Sequence, residues 1–405
     1  MEVAVIGAGA AGLVTARELM RAGLSVTVFE RAAHPTGTWV YGDSPLYASL
    51  RTNLPRDLMA FDDFAFEDAG DPRRFPGHEE VRRYLERFAQ AHAIGPRMRT
   101  ETTVTAVAPH TIQGLRWRVA WRDAQGPAEA DFDAVAVCNG HYLEPEIPRL
   151  PGTETFGGRI VHSRQYREPS AFADRHVVLW GAKSSGIDLS RELSTVARRV
   201  VLCSRDSPRV DGLGPRGNLN LRPNITALEP GGMRLSDGSR EAGIDTLILC
   251  TGYRYAFPFL DPSAGVLEPG PARVFPLHLD LLSTRSLRLA FVGLPYQVVP
   301  FPLMHRQARL WATALTGTAA LPEAPVRHSM ALERDARFAA AGVPPRHRLR
   351  YGPRQFRYNA LLAELAGDPP PPAWRAQLNR IVAEHRRRDP EGYRDFVFPT
   401  ASELG

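Results

Sequence analysis

Val3-Ala4-Val5-Ile6-Gly7-Ala8-Gly9-Ala10-Ala11-Gly12 opens the chain, and Val177-Val178-Leu179-Trp180-Gly181-Ala182-Lys183-Ser184-Ser185-Gly186 repeats its plan. In each, a short apolar run reads as a strand, a glycine-rich turn follows it, and a helix begins. This is the entry to a βαβ unit, where close backbone approach and a helix N-terminus accept a dinucleotide pyrophosphate. One such turn is weak evidence. Two in a chain of 405 residues predict an α/β fold with two Rossmann-like dinucleotide-binding domains, passing electrons between two dinucleotides.

The residue that reads the ribose should end the second strand of each unit, about twenty residues on. After the first turn, Ser25-Val26-Thr27-Val28-Phe29 ends at Glu30, an acid able to bond a free ribose hydroxyl. FAD and NAD fit there and a 2′-phosphate does not. After the second turn, Arg198-Arg199-Val200-Val201-Leu202-Cys203 leads to Ser204-Arg205, with Ser204 at the offset of Glu30. A hydroxyl followed by a guanidinium suits a ribose 2′-phosphate, because Arg offers bidentate charge-assisted bonds. The reading is FAD at the first turn and NADPH at the second.

A glycine turn that merely joins strand to helix is the plain alternative. It fits the first turn poorly, since strand, spacing and acid agree. It fits the second better, because Lys183 replaces the middle glycine. That side chain must either point away or reach the phosphate itself. Lys183 is the sole lysine among 50 Lys and Arg residues, which favours the phosphate contact. Arg205 has its own ordinary reading, a solvated surface arginine.

Length leaves room for two or three domains with substantial cores. The chain opens on a strand with no leader, and no apolar run approaches the length of a bilayer span. A soluble, cytoplasmic protein is expected. The net charge of +6 is modest and accompanies no nucleic-acid motif; the basic run His385-Arg386-Arg387-Arg388 reads as a solvated helix face. Arginine in place of lysine, with many Ala and Pro, suggests a high-GC bacterial genome. Cys138, Cys203 and Cys250 lie far apart with no Cys-x-x-Cys, which excludes a dithiol–disulfide reductase unless distant cysteines pair. No metal-ligand spacing and no Gly-x-Ser-x-Gly elbow is present, so no metal is expected.

Asp133-Ala134-Val135-Ala136-Val137-Cys138-Asn139-Gly140-His141-Tyr142 is echoed by Asp245-Thr246-Leu247-Ile248-Leu249-Cys250-Thr251-Gly252-Tyr253. These two runs read as the crossings between domains. The NADPH domain is then an insertion, 145–250, and the FAD domain is discontinuous, 1–144 and 251–405. Apolar Val81, Tyr84, Leu85 and Phe88 at helical spacing predict a helix over Glu79–Ala91. Further helices are expected over Leu303–Leu315, Arg354–Leu365 and Trp374–Arg388.

Phe156-Gly157-Gly158-Arg159-Ile160-Val161-His162-Ser163-Arg164-Gln165-Tyr166 fits FxGxxxHxxxY. It resembles the identifying motif of class B flavin monooxygenases in the flavin-containing monooxygenase form; Baeyer–Villiger members end it in Trp. The resemblance spans nearly the whole chain. It takes in Gly37-Thr38-Trp39 near the family's GGxW, with Thr38 read as replacing one glycine, and also Leu50-Arg51-Thr52-Asn53 and Phe291-Val292-Gly293-Leu294. It implies that Gly7, Ala8, Gly9, Ala10 and Ala11, with Gly12, Glu30, Thr38 and Trp39, hold FAD. Thr52 and Asn53 match the segment that touches both flavin and nicotinamide. Ser184, Ser185, Gly186 and Arg205, with Lys183 and Ser204, match NADPH positions, and Tyr166, which could equally be a packing aromatic, is placed for a cofactor contact. His162 is read as locking the linker by hydrogen bonds in preference to acid–base catalysis. Asn53 is the implied catalytic residue, an amide able to bond a peroxide without protonating it.

The resemblance also implies the chemistry. An FAD- and NADPH-dependent monooxygenase would oxygenate nitrogen or sulfur of a small nucleophile through a flavin C4a-hydroperoxide. Its partners are that substrate and molecular oxygen, with no nucleic acid and no membrane; a homodimer is compatible with the sequence. Baeyer–Villiger oxygenation of a ketone, and an NADPH oxidase that releases hydrogen peroxide, stay open as alternatives. His305 departs from the pattern, standing where the family often has an acid before Gln307.

Overall fold

Glu2–Ile6, buried along all but its first residue, is an inner strand of a seven-stranded sheet. The computed structural model describes residues 1–42, 44–67, 70–111, 115–266 and 273–405. From one edge the sheet runs Leu277–His278, Leu282–Ser283, Leu289–Phe291, Ala134–Val137, Glu2–Ile6, Ser25–Phe29, Met98–Arg99. Five successive strands, from Leu289–Phe291 to Met98–Arg99, pair in parallel, and residues such as Val3, Val5, Ala134 and Val135 are fully buried. Continuous apolar runs of this kind are what a parallel sheet covered on both faces demands. One covering element is the antiparallel meander Thr103–Thr111, Leu115–Asp123 and Gly126–Phe132, whose Trp121 packs 5.1 Å from the ring of Phe29.

The chain divides into two compact units. The first comprises Met1–Val40, Leu50–His141 and Tyr255–Gly405; the second comprises Tyr41–Ser49 and Tyr142–Arg254. The segment 41–49 belongs to the second unit because Tyr47 packs edge-on to Tyr166 and bonds Asp188, while the amide of Ala48 donates to Arg167. Nothing in its composition announces this.

In the second unit a six-stranded sheet runs Val210–Leu213, Leu219–Arg222, Arg199–Cys203, His176–Trp180, Thr246–Leu249, Arg159–His162. Its register repeats that of the first. Ile6 pairs with Phe29 and Val137, and Trp180 pairs with Cys203 and Leu249. Glu30 and Ser204 therefore follow equivalent strand ends, as the spacing predicted. The two runs that echo each other in sequence are the same strand of the two sheets.

Helix His78–Ala91 buries Val81, Tyr84, Leu85 and Phe88 completely, the face its spacing picked out. Each such side chain contributes roughly 2 kcal/mol. Helix Pro300–Leu315 starts three residues before the expected Leu303, because Pro300 and Pro302 sit in the first turn, where no backbone donor is lost. The tail carries Gln355–Ala366 and Ala373–Arg388, near the expected limits. It also carries Ala324–Ala340, a helix that no apolar stripe announces, since only its Arg327 and Ala331 are buried. Among the described residues, no helix is long and apolar enough to cross a membrane.

Candidate dinucleotide sites and the Asn53 segment

The first glycine turn is fixed from three sides. Gly7 has φ +100, and a Cβ there would lie 2.6 Å from the carbonyl oxygen of Cys138. Its amide donates to Phe29 at 2.7 Å. A Cβ on Gly12 would stand 1.8 Å from the oxygen of Gly7, so the helix can approach the turn only with glycine there. Helix Ala10–Arg21 begins at Gly9 without any side-chain cap, which leaves its first amides open toward a ligand. Glu30 is 7% exposed and accepts from the amides of Ala8 (2.7 Å) and Ala32 (2.9 Å). Its carboxylate thus braces the turn and keeps lone pairs free for a ribose hydroxyl. The set fits the adenosine and pyrophosphate of FAD.

Thr36 adds a correction. The position of the family turn that requires glycine geometry is Thr36, with φ +89, and not Thr38. The amide of Thr36 donates to Ala8 at 2.8 Å, and its hydroxyl is buried with no hydrogen-bond partner among the described residues. Gly37 then crosses Gly9 closely enough that a Cβ on Gly37 would lie 2.9 Å from the Cα of Gly9. An orphaned hydroxyl and a backbone cradle beside the turn suit a bound FAD. Thr38 and Trp39 lie half-buried in the single 3-10 turn beyond it, with the indole packed on the core.

Asn53 lies one residue beyond a tightly held peptide. Thr52 is 4% exposed; its amide donates to Pro76 at 2.9 Å and its hydroxyl to Leu54 at 2.8 Å. Asn53 itself is half-buried, and its carboxamide has no hydrogen-bond partner among the described residues. A fixed backbone that presents an unspent amide is what a ligand-facing residue needs.

The turn at Gly293 has φ +89 and sits against the first helix, its position for a Cβ 3.6 Å from Ala11. Its amide donates to Gln307 (2.8 Å), Gln307 donates to Tyr358 (2.8 Å), and Tyr358 donates to Leu279 (2.6 Å). Burial pushes the neighbouring His141 down to about 4, so its ring is neutral, and a hydrogen bond to the Gly293 backbone works against that shift. Sequence reasoning missed Gln307 and Tyr358; a buried Gln beside a glycine turn was the available signal. His305 forms no part of this relay. Its Nε2 lies 2.7 Å from Arg17 and 3.4 Å from Glu18, inside a buried ionic cluster.

The second turn repeats the first. Gly181 has φ +117, a Cβ there would lie 2.4 Å from the oxygen of Cys250, and its amide donates to Cys203 at 2.8 Å. A Cβ on Gly186 would meet the oxygen of Gly181 at 1.8 Å. Lys183 is the helix N-cap, extended and exposed, with its ammonium unpaired among the described residues. Ser184 and Ser185 open the helix and are exposed. Ser204 shares a hydrogen bond with Ser207 at 2.7 Å. Arg205 is exposed, with no partner among the described residues. Three polar groups and a free guanidinium, with no acid at the strand end, fit a phosphorylated ribose.

Tyr166, expected to touch a cofactor, is 1% exposed, and its hydroxyl donates to Glu192 at 2.8 Å. Burial and that carboxylate push its pKa up. Its proton is committed within the protein. His162 behaves as expected. Nδ1 accepts from the amide of Arg164 (3.1 Å) and Nε2 donates to Gly252 (3.0 Å), which fixes one neutral tautomer. Burial lowers its pKa, in agreement. The three cysteines are free and buried, and burial pushes Cys138 and Cys250 up to about 12, so neither offers a thiolate. Among the described residues, no three His, Cys, Asp or Glu gather as a metal site.

The family model described as flavin-binding monooxygenase-like matches residues 1–212 and 215–343. A flavin-containing monooxygenase of Arabidopsis thaliana, FMO GS-OX-like 4, is 38% identical over 425 aligned positions, covering 97% of this chain and 93% of that protein. The solved S-allyl-L-cysteine S-oxygenase from Allium sativum superposes with a TM-score of 0.94 at 37% identity, covering 100% of this chain and 96% of that one. Tmm from Pelagibacter shares the fold, with a TM-score of 0.86 at 21% identity.

Proposed function

The chain belongs to the flavin-binding monooxygenases, enzymes that use FAD and NADPH, and from that premise we propose that it S-oxygenates a small organic sulfide. What carries the choice of sulfur is the likeness, over the entire chain, to the S-allyl-L-cysteine S-oxygenase. Bound FAD supplies the oxygen-activating chemistry, with two electrons drawn from NADPH. One oxygen atom enters the sulfide and the other leaves as water.

In this reading the turn Gly7–Gly12, Glu30 and Thr36–Trp39 bind FAD in the first unit. The turn Gly181–Gly186, with Ser204 and Arg205, binds NADPH in the second. Lys183 reaches a phosphate as a point charge. Thr52 holds its backbone rigid, and Asn53 offers two N–H donors to an oxygen atom. A carboxamide has no proton to give up near neutral pH, so it orients that oxygen without transferring a proton to it. A sulfide is itself a soft nucleophile, and no protein nucleophile or acid–base pair is required of the chain.

The test is product identity. The purified flavoprotein, with NADPH and oxygen, is offered an alkyl cysteine sulfide, a tertiary amine and a cyclic ketone together. The sulfoxide is the expected main product. An N-oxide or an ester in its place, or hydrogen peroxide alone, overturns the assignment to sulfur.

A further inference from the structure

The turn Tyr393–Asp395 lies across the segment that bears Asn53. Arg394, in the single 3-10 turn Tyr393–Asp395, donates from Nε to the carbonyl oxygen of Thr52 at 3.0 Å. Arg51 answers from the other side. Its Nη1 bonds Asp395 (2.9 Å), its Nη2 the carbonyl of Arg394 (3.4 Å), and its Nε the carbonyl of Phe75 (3.1 Å). Tyr393 anchors the turn, 2% exposed with its ring 5.6 Å from that of Phe75. Arg74 ties down the chain beyond the turn by donating to the carbonyl of Pro399 at 2.7 Å.

The Thr52 carbonyl and the Asn53 amide nitrogen belong to one planar peptide unit. Fixing that carbonyl fixes the plane from which the Asn53 Cα and side chain project. On the other side, the Thr52 amide is held by Pro76. With both bonds made, the backbone from which the half-buried carboxamide of Asn53 projects is held, and its own polar atoms have no partner among the described residues.

We propose that Arg394 is a positioning residue for Asn53, and that the C-terminal turn is a strap that keeps oxygenation coupled to NADPH use. The inference rests on the reading of Asn53 as the residue that faces the activated oxygen. A slack strap lets the amide wander, and misplacement of a supporting group by about 1 Å is enough to cost a large share of a positioned reaction.

The experiment compares Arg394→Met and Arg394→Lys holoenzymes with the parent and with Asn53→Ala. Two quantities are read: hydrogen exchange at the Thr52 amide, and sulfoxide formed per NADPH consumed. For Arg394→Met, exchange at Thr52 is expected to quicken at least about tenfold and coupling to fall several-fold, with hydrogen peroxide making up the difference. FAD content and the KM for NADPH should hold. Arg394→Lys keeps a donor for the carbonyl and should recover part of both losses. Unchanged exchange at Thr52, or unchanged coupling, in Arg394→Met overturns the proposal. If Asn53→Ala loses coupling while Arg394→Met keeps it, the strap alone is wrong; if Asn53→Ala keeps it, the reading of Asn53 has failed.

Discussion

The amide of Ala8 donates to the carboxylate of Glu30 across 2.7 Å, while the carbonyl of Ala8 accepts from Thr36 at 2.8 Å. One residue of the glycine turn is thereby held by the end of the second strand and by the loop beyond it. Glu30 carries two duties, since the acid that would meet the ribose also satisfies two backbone amides. Glu30→Gln keeps the size and one acceptor oxygen. It should leave the protein folded and weaken FAD about 10- to 100-fold, read as flavin retained per chain after gel filtration and as the Kd on reconstitution. Full retention of flavin would remove Glu30 from the ribose.

Gly181→Ala separates the two turns. Its methyl group would meet the carbonyl oxygen of Cys250 at 2.4 Å, in a backbone at φ +117 that side chains rarely adopt. The second turn must shift, at a local cost of about 3 kcal/mol. Reduction of the bound flavin by NADPH should fall by at least about tenfold while flavin content stays near one per chain. Normal reduction kinetics would place the nicotinamide dinucleotide elsewhere.

Arg205→Ala tests which dinucleotide the second turn prefers. The guanidinium is exposed and unpaired among the described residues, so its removal breaks nothing internal. Loss of a charge-assisted pair with a 2′-phosphate is worth about 1.5–3 kcal/mol, or roughly a 10- to 100-fold rise in KM for NADPH. NADH, which has no such phosphate, should be used nearly as before. An equal loss with both would sink the assignment.

What the sequence made legible is what repeats at fixed local spacing. The strand–turn–helix units, the matching offsets of Glu30 and Ser204, and the buried stripe of His78–Ala91 all rest on residues within one unit of structure. Helix Ala324–Ala340 lacked such a signal because its inward face is Arg327 and Ala331, not an apolar stripe. The Arg394–Thr52 bond joins residues 342 apart, and no local pattern could announce it. Tyr166 shows the opposite limit. A motif residue read as cofactor-facing spends its hydroxyl on Glu192, because burial and partner are tertiary facts.

Acid stability depends on two imidazoles of the first unit, the buried His278 and the half-buried His141. Burial pushes His278, helped by Arg327, and His141 down to about 4 from an ordinary value of 6.5. Their folded values lie below their unfolded ones, so the fold holds them neutral. The stability they allow is complete above 6.5 and is lost as pH falls from 6.5 toward 4, where the unfolded chain takes up protons that the fold refuses. Between about pH 7 and about pH 5 each ring should cost about 2 kcal/mol. His162 and His176, also lowered by burial, act with the same sign in the second unit. Asp63 cannot compensate in this window. Burial would raise it, Arg17 and Arg21 outweigh burial and hold it at about 2, and its contribution is lost only in stronger acid. Urea unfolding at the two pH values, on the parent and on His278→Asn, reads the effect directly. The parent should lose stability on acidification, and the variant should lose about 2 kcal/mol less. Equal losses in both would mean that His278 titrates in the fold as it does in the open chain.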